Sequence, residues 1–424
     1  MGKPVDIDCR AYEPQGDTSL HTHGFVNPTF RQPYGVCGAI TPWNAPVLIV
    51  AQKLAPAFIT GNTLVVKISK KAPLSPLVLA KCCQEMGLPK GAVNILNGFG
   101  RPCGEAIARH MDIRKLSFTG STATGKTIKK AAAESNLKNI TVELGGKSWL
   151  VVFNDADLEK AAGASAFSFL ANSGQACVAS SRVFIQFTIA DKFVEALKAS
   201  LAGFGPSGDP LAGETKRGPQ ADQVQFRRVV GFLDEAKASG LEIVTGGEQE
   251  VFGLALCLNT FDDEEAVLKS ANNTEFGLYA SVFIRDISRV LRVAKRFEAG
   301  SVGVNCASLM VTLDMPFGGW KQSGEGKENS KLRILPHSVA GYGGVETNYL
   351  FKTKDIMLNQ FPHFSFACWS YWGLGFATRI LISMIIPKGS MFSLEGTGVD
   401  DKVAANQPFI MTLDLPSYTP LART

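Results

Sequence analysis

No two of the nine cysteines are spaced as a CxxC pair, and their positions form no even framework. That pattern points neither to a zinc site nor to a disulfide scaffold, and no metal is expected. Long basic runs are missing too, and a net charge of +5 is small for 424 residues. Binding a phosphate backbone needs clustered Lys and Arg, so nucleic acid is not expected as a partner. The opening MGKPVDID lacks an apolar signal core, and Asp6 stands where a myristoylation signal needs Ser or Thr. The closing LART is no peroxisomal address. These absences favour a reducing, cytoplasmic setting in which a cysteine can stay a free thiol.

What is present is an alternation. From about residue 34, short β-branched or apolar runs (GVCGAITPW, NTLVVKI, AVNILNG, KLSFTG, ITVEL) alternate with longer helical patterns such as PLVLAKCCQEMGLP. A second series follows, with SWLVVF, a helix over Asp157 to Asn172, SRVFIQF, a helix over Asp191 to Phe204, LEIVTGG, YASVFI, RVLRVAKRFEAG and SVGVNC. Strands alternating with helices predict parallel sheets with crossover helices, here two α/β units that meet near residue 146. A glycine-centred hairpin is expected over 17–30.

Gly120 to Thr127, GSTATGKT, matches the P-loop pattern G-x-x-x-x-G-K-[ST] and sits between a strand-like KLSF and a helix-like TIKKAAAE. Three readings fit those residues. In a nucleotide hydrolase, Lys126 would meet the β/γ-phosphates and Thr127 would meet magnesium. In a dinucleotide-binding fold, the same turn would offer a helix N-terminus to a pyrophosphate. The third reading is a corner that binds nothing. A second strand–glycine–helix corner, NGFGRPCG at 97–104, favours the dinucleotide crevice, although its GxGxxxG spacing departs from the usual fingerprint.

Five further segments bear on the choice. TVELGGKS places Glu143 before a double glycine, and FLANSGQAC places Cys177 34 positions downstream. PWN ends at Asn44, EVFG spans Glu250 to Gly253, and MPFGGWKQSGEGKE runs from Met315 to Glu328. In this order and with this Glu-to-Cys interval, the chain resembles the NAD(P)-dependent aldehyde dehydrogenase superfamily over roughly residues 17–353. In that family FTGSTxxG[RK] is the cofactor-helix turn, so the P-loop match is fortuitous.

The resemblance implies an aldehyde dehydrogenase-like α/β fold: a Rossmann-type dinucleotide-binding domain (31–145), an α/β catalytic domain (146–321) and a small β oligomerisation arm (17–30 and 344–352). An N-terminal remnant (1–16), a return connection (322–343) and an atypical tail (353–424) complete the chain. It further implies oxidation of a small-molecule aldehyde by NAD or NADP in a homo-oligomer. Cys177 would be the nucleophile, since a thiolate adds to a carbonyl and the thioester formed hydrolyses readily. Asn44 and the backbone N–H of Cys177 would hold the oxyanion, and losing one such donor costs ~2.7–4 kcal/mol. Glu143 would activate water for hydrolysis. On the cofactor side the implied residues are Trp43, Lys67 (adenosine ribose), Gly100, Gly120 and Ser121 (pyrophosphate), Leu144 (its carbonyl to the carboxamide), Glu250 (nicotinamide ribose) and Phe252 (nicotinamide packing).

The chain departs from the family pattern at several places. After Lys67 the family usually has K-P-[SA]-E, whereas this sequence reads KISK. Lys70 thus replaces the acid that grips the ribose 2′-hydroxyl, and a 2′-phosphate would be tolerated or preferred. Only MGKPVDIDCRAYEPQ precedes the first matched segment, so apolar helix surface should lie exposed. A gap between GGEQ and EVFG removes a strand, and Leu254 stands where Pro is usual. A catalytically impaired remnant or partner subunit is therefore the alternative to an active enzyme. The apolar stretch 364–387 has the length of a membrane span, but Arg379 would cost about 2.5–3.5 kcal/mol near the bilayer centre, which favours a buried segment over membrane contact.

Overall fold

The computed structural model describes residues 18–21, 23, 26–28, 30–245, 255–308, 316–329, 338–341 and 355–358. Its first sheet contains β1 (Val36–Ile40), β2 (Thr63–Ile68), β3 (Val93–Asn97), β4 (Ile113–Thr119) and β5 (Asn139–Glu143). The spatial order is β3-β2-β1-β4-β5, all parallel. The crossovers carry α1 (Pro46–Ile59), α2 (Leu74–Glu85), α3 (Glu105–Arg109) and α4 (Thr122–Ala133). Pro46 opens α1, where its missing N–H is no loss. Ser121 caps α4 by accepting from Thr124 N.

The second sheet repeats the winding. β6 (Ser148–Val152), β7 (Ser180–Gln186), β8 (Cys257–Phe261), β9 (Tyr279–Phe283), β10 (Ser301–Val304) and β11 (Asp355–Leu358) lie in the order β8-β7-β6-β9-β10-β11. Helices α5 (Leu158–Leu170), α6 (Ala190–Gly203), α7 (Gln223–Ala238), α8 (Glu264–Asn272) and α9 (Ile287–Arg296) connect them. In both sheets the first strand lies in the middle, and the chain winds first to one side and then to the other. That creates a switch point between β1 and β4 and another between β6 and β9. β6 and β9 are buried along their whole length, as the unbroken apolar runs SWLVV and YASVF require of strands covered on both faces. Trp149 meets Phe297 edge-on at 5.8 Å, and Phe153 meets Phe261 at 5.3 Å. Each such buried side chain stabilises the fold by about 1.5–3 kcal/mol.

Four residues, Leu144 to Lys147, link β5 to β6. So short a link sets the carboxyl edge of the first sheet against the amino edge of the second. The segment 316–329 ties the two together. Trp320–Lys321 pairs with Phe276–Gly277 just ahead of β9, and Gly324–Glu325 adds an antiparallel edge to β5 opposite Glu143 and Val142.

Over its described part, residues 241–245, the predicted strand LEIVTGG is not one. Residues 241–245 are irregular, and Leu241, Ile243 and Val244 are exposed. β-prone side chains form a strand only beside a partner, and β8 occupies the place next to β7. The N-terminal hairpin is present as Thr18–Ser19 against Asn27–Pro28, and Phe30–Pro33 pairs with Ser338–Gly341. The proposed arm strand at 344–352 and the apolar stretch 364–387 lie outside the described residues. β11, within the tail, joins the second sheet, which the sequence reading did not anticipate. Helices α1 and α2 leave Phe58, Ile59, Leu74 and Val78 exposed. No helix among the described residues is long and apolar enough to cross a membrane.

Candidate active site

The carboxyl ends of the first sheet's parallel strands gather most of the singled-out residues. Trp43 and Asn44 follow β1, Lys67 and Lys70 end and follow β2, and Gly100 follows β3. Gly120 and Ser121 follow β4, while Glu143 ends β5 and Leu144 succeeds it. Open α/β sheets bind ligands at this edge, beside the switch point.

Cys177 comes from the other side, just before the amino end of β7. Its turn is bent by three successive left-handed residues, Asn172 (φ 52°), Ser173 (φ 54°) and Gly174 (φ 72°). For the two non-glycine residues that conformation costs about 1–2 kcal/mol each, so other contacts must hold it. Asn172 Nδ2 donates to the Asn44 carbonyl (3.0 Å), Ser173 Oγ to the Gly218 carbonyl (2.6 Å), and Gln220 Nε2 to the Ser173 carbonyl (3.2 Å). Asn44 Nδ2 donates in turn to the Gln175 carbonyl at 2.9 Å, which leaves its second amide hydrogen for another acceptor. The half-buried thiol packs with Ala176 and Phe317 against Val178, Leu278 and Tyr279. Burial pushes it up to about 11, and the nearby charge of Glu143 adds to the shift. The backbone N–H groups of Cys177 and Val178 aim at the sulfur and oppose that rise.

Glu143 is 5% exposed, and neither carboxylate oxygen has a hydrogen-bond partner among the described residues. Burial holds its proton affinity well above the carboxylate range, and the negative charge of Glu328 raises it further, against the pull of Lys53 and Lys327. These neighbours form a buried network. The Lys53 ammonium and the Ser117 hydroxyl (2.8 Å) both donate to Glu328 Oε1. Sequence reasoning missed Lys53, Ser117 and Glu328. The available signal was a lysine in the middle of the apolar helix PVLIVAQKLAPAFI, where an unpaired charge is not tolerated.

The double glycine after Glu143 is asymmetric. A Cβ on Gly146 would sit 2.7 Å from the Cys177 carbonyl oxygen, whereas one on Gly145 would meet nothing within 4 Å. Gly146→Ala is therefore expected to destabilise the fold by about 1–3 kcal/mol, with Gly145→Ala near neutral. Urea midpoints of the two variants check this; equal shifts would contradict the packing argument.

On the cofactor side, α4 presents its orphan N-terminal N–H groups behind Gly120 and Ser121. Lys126 lies a full turn into that helix and donates to Gln322 Oε1 (2.9 Å), and Thr127 Oγ1 donates to the Ala123 carbonyl (3.1 Å). Neither is placed for the P-loop roles. Gly125 is explained by packing instead, because a Cβ there would lie 2.6 Å from Leu144 Cδ2. Lys67 is buried, and no described residue accepts from its ammonium; burial lowers its proton affinity, Cys103 opposing and Lys70 adding to the fall. Lys70 lies 4.8 Å above the Phe99 ring, at the exposed rim. The buried Lys67 ammonium, with no acceptor among the described residues, the open space at Gly100 and the N-terminus of α4 form a cradle that suits an anionic dinucleotide. Glu250 and Phe252 lie outside the described residues.

The model of the aldehyde dehydrogenase family matches residues 9–250 and 248–335, two segments that meet where the sequence reading places its gap. An aldehyde dehydrogenase of Aspergillus niger is 42% identical over 337 residues, covering 74% of this chain and 67% of that protein. Retinaldehyde dehydrogenase 3 of Mus musculus is 38% identical over 358 residues, covering 78% and 69%. The NAD+ complex of an aldehyde dehydrogenase from Bacillus cereus superposes with a TM-score of 0.74 at 35% identity, covering 78% of this chain and 73% of that one.

Proposed function

This chain belongs to the aldehyde dehydrogenase family, and from that premise we propose that it oxidises an aldehyde to the carboxylic acid through a covalent adduct on Cys177. The carrying observation is that Glu143, at the end of the first sheet, stands near enough to Cys177, at the start of the second, for its charge to raise the proton affinity of the thiol.

At rest the thiol is neutral, and a value of about 11 leaves roughly one thiolate in 10⁴ at pH 7. The buried space accommodates one negative charge better than two. Once Glu143 has given up its own proton to solvent, a proton passing from Cys177 to it moves that charge without adding another, and the thiolate then bonds to the aldehyde carbon. The oxygen that becomes negative is met by the Asn44 amide and the Cys177 N–H. A nicotinamide dinucleotide, when bound, accepts the hydride that this adduct releases. Lys67, Gly100, Gly120, Ser121 and Leu144 would hold it, with Trp43 at the wall, and Glu250 and Phe252 are proposed for its nicotinamide half. Glu143 passes the thiol's proton on to solvent and, ionised again, takes a proton from water as the water attacks the thioester. The Lys53–Ser117–Glu328 network sets how readily Glu143 gives that proton up.

Lys70 at the adenosine end supports use of NADP alongside NAD. A panel of aliphatic and aromatic aldehydes, followed by NADH or NADPH absorbance, tests reaction and cofactor together. Lys70→Glu is expected to shift the kcat/KM ratio toward NAD about tenfold, or about 1.4 kcal/mol. A strong NAD preference of the unaltered chain would defeat the cofactor reading. The second reading, a catalytically impaired partner subunit, is favoured by the exposed apolar side chains at Leu241, Ile243 and Val244. It predicts cofactor-induced thermal stabilisation without turnover. Assembly as a homo-oligomer and a cytoplasmic setting belong to the same proposal.

A further inference from the structure

Lys71, next to Lys70, touches both sides of the site. Its ammonium pairs with Asp222 Oδ2 at 2.5 Å and lies 5.3 Å from the centre of the Trp43 ring. Trp43 adjoins Asn44, whose amide donates to the Gln175 carbonyl (2.9 Å). Gln175 Oε1 accepts from Ala221 N (2.8 Å), and Ala221 adjoins Asp222. The contacts thus close on themselves, running Lys71, Trp43, Asn44, Gln175, Ala221, Asp222 and back to Lys71. Covalent neighbours supply two of the links and polar contacts the rest. Asp222 Oδ1 also accepts from Gln225 N (2.9 Å), so the start of α7 anchors the ring.

We propose that Lys71 is a positioning residue, which clamps the left-handed turn carrying Cys177 to the loop that follows β2. The inference rests on the functional reading of Cys177. The strained turn at Asn172 and Ser173 needs outside support, and through Lys71 the first unit reaches the 218–222 stretch that supplies it. Both partners are about 30% exposed on their side chains (29% and 31%), so the clamp is adjustable and screened by salt.

The test measures iodoacetamide alkylation of Cys177 by mass spectrometry in the full chain, with kcat measured in parallel. Lys71→Met should loosen the turn, speed Cys177 alkylation about two- to five-fold and lower kcat by a similar factor. Lys71→Arg should restore both. Asp222→Asn keeps the helix cap, since Asn caps as well as Asp, and should reproduce Lys71→Met, with no further change in the double variant. Labelling of Cys37 and Cys83, buried in the first unit's core, should not move. An unchanged Cys177 rate in Lys71→Met, a parallel rise at Cys37 and Cys83, or fully additive effects of the two substitutions would overturn the proposal. A Cys177 inert in every variant would overturn the functional reading and this ring with it.

Discussion

Cys177→Ala is expected to lower kcat for aldehyde oxidation by on the order of 10⁴- to 10⁶-fold, the range seen when a covalent nucleophile is removed. Binding of the dinucleotide should survive, because the proposed cradle lies on the first sheet and the thiol projects from the second. The stabilisation by NAD+ in a thermal melt should therefore match that of the unaltered chain. The thiol adds a pH signature. With Cys177 pushed up to about 11, its alkylation rate should still be climbing well above pH 9. An ordinary thiol levels off sooner, having its pKa near 8.5. Turnover that persists in the alanine variant would remove Cys177 from the centre of the reaction, and alkylation that levels off near pH 9 would mean that burial does not raise its thiol.

Glu143→Gln carries the second large effect. Loss of the base should slow thioester hydrolysis by about 10²- to 10⁴-fold, while adduct formation is slowed less. The variant should then release up to one equivalent of NADH or NADPH per chain in a burst and nearly stop. Stability gives an independent reading. Burial raises the folded proton affinity of Glu143 above its unfolded value near 4.3. As pH rises past that value the unfolded chain loses the proton while the folded chain keeps it. The native state then binds more protons than the unfolded one, so stability falls with rising pH until the folded group also ionises. Gln removes this term. Between pH 5 and pH 8 the urea midpoint of Glu143→Gln should consequently fall less than that of the unaltered chain. Identical slopes would mean that Glu143 is not held neutral in the fold.

The alternation of strand and helix, the two units and the positions of Glu143, Cys177 and Asn44 in their motifs were legible in the residues alone. Periodicity and turn chemistry act over a few neighbours, and a linear reading captures them. LEIVTGG shows where such reading fails, since its β-prone side chains describe a strand but say nothing about whether a partner edge is free.

What the tertiary structure decided lies in contacts between distant positions. Lys53 and Glu328 are 275 residues apart, yet they share the buried network beside Glu143. Gly146, rather than Gly145, is the sterically required glycine because of a carbonyl at position 177. The pairing of Lys71 with Asp222 is equally invisible along the chain. The physical reason is common to all three. Local sequence sets the shape of each strand, turn and helix, but the short link between β5 and β6 and the shared winding of the two sheets determine which edges face each other. The proton affinities of Cys177 and Glu143 follow from that facing, since they depend on what water is excluded and which charges are near.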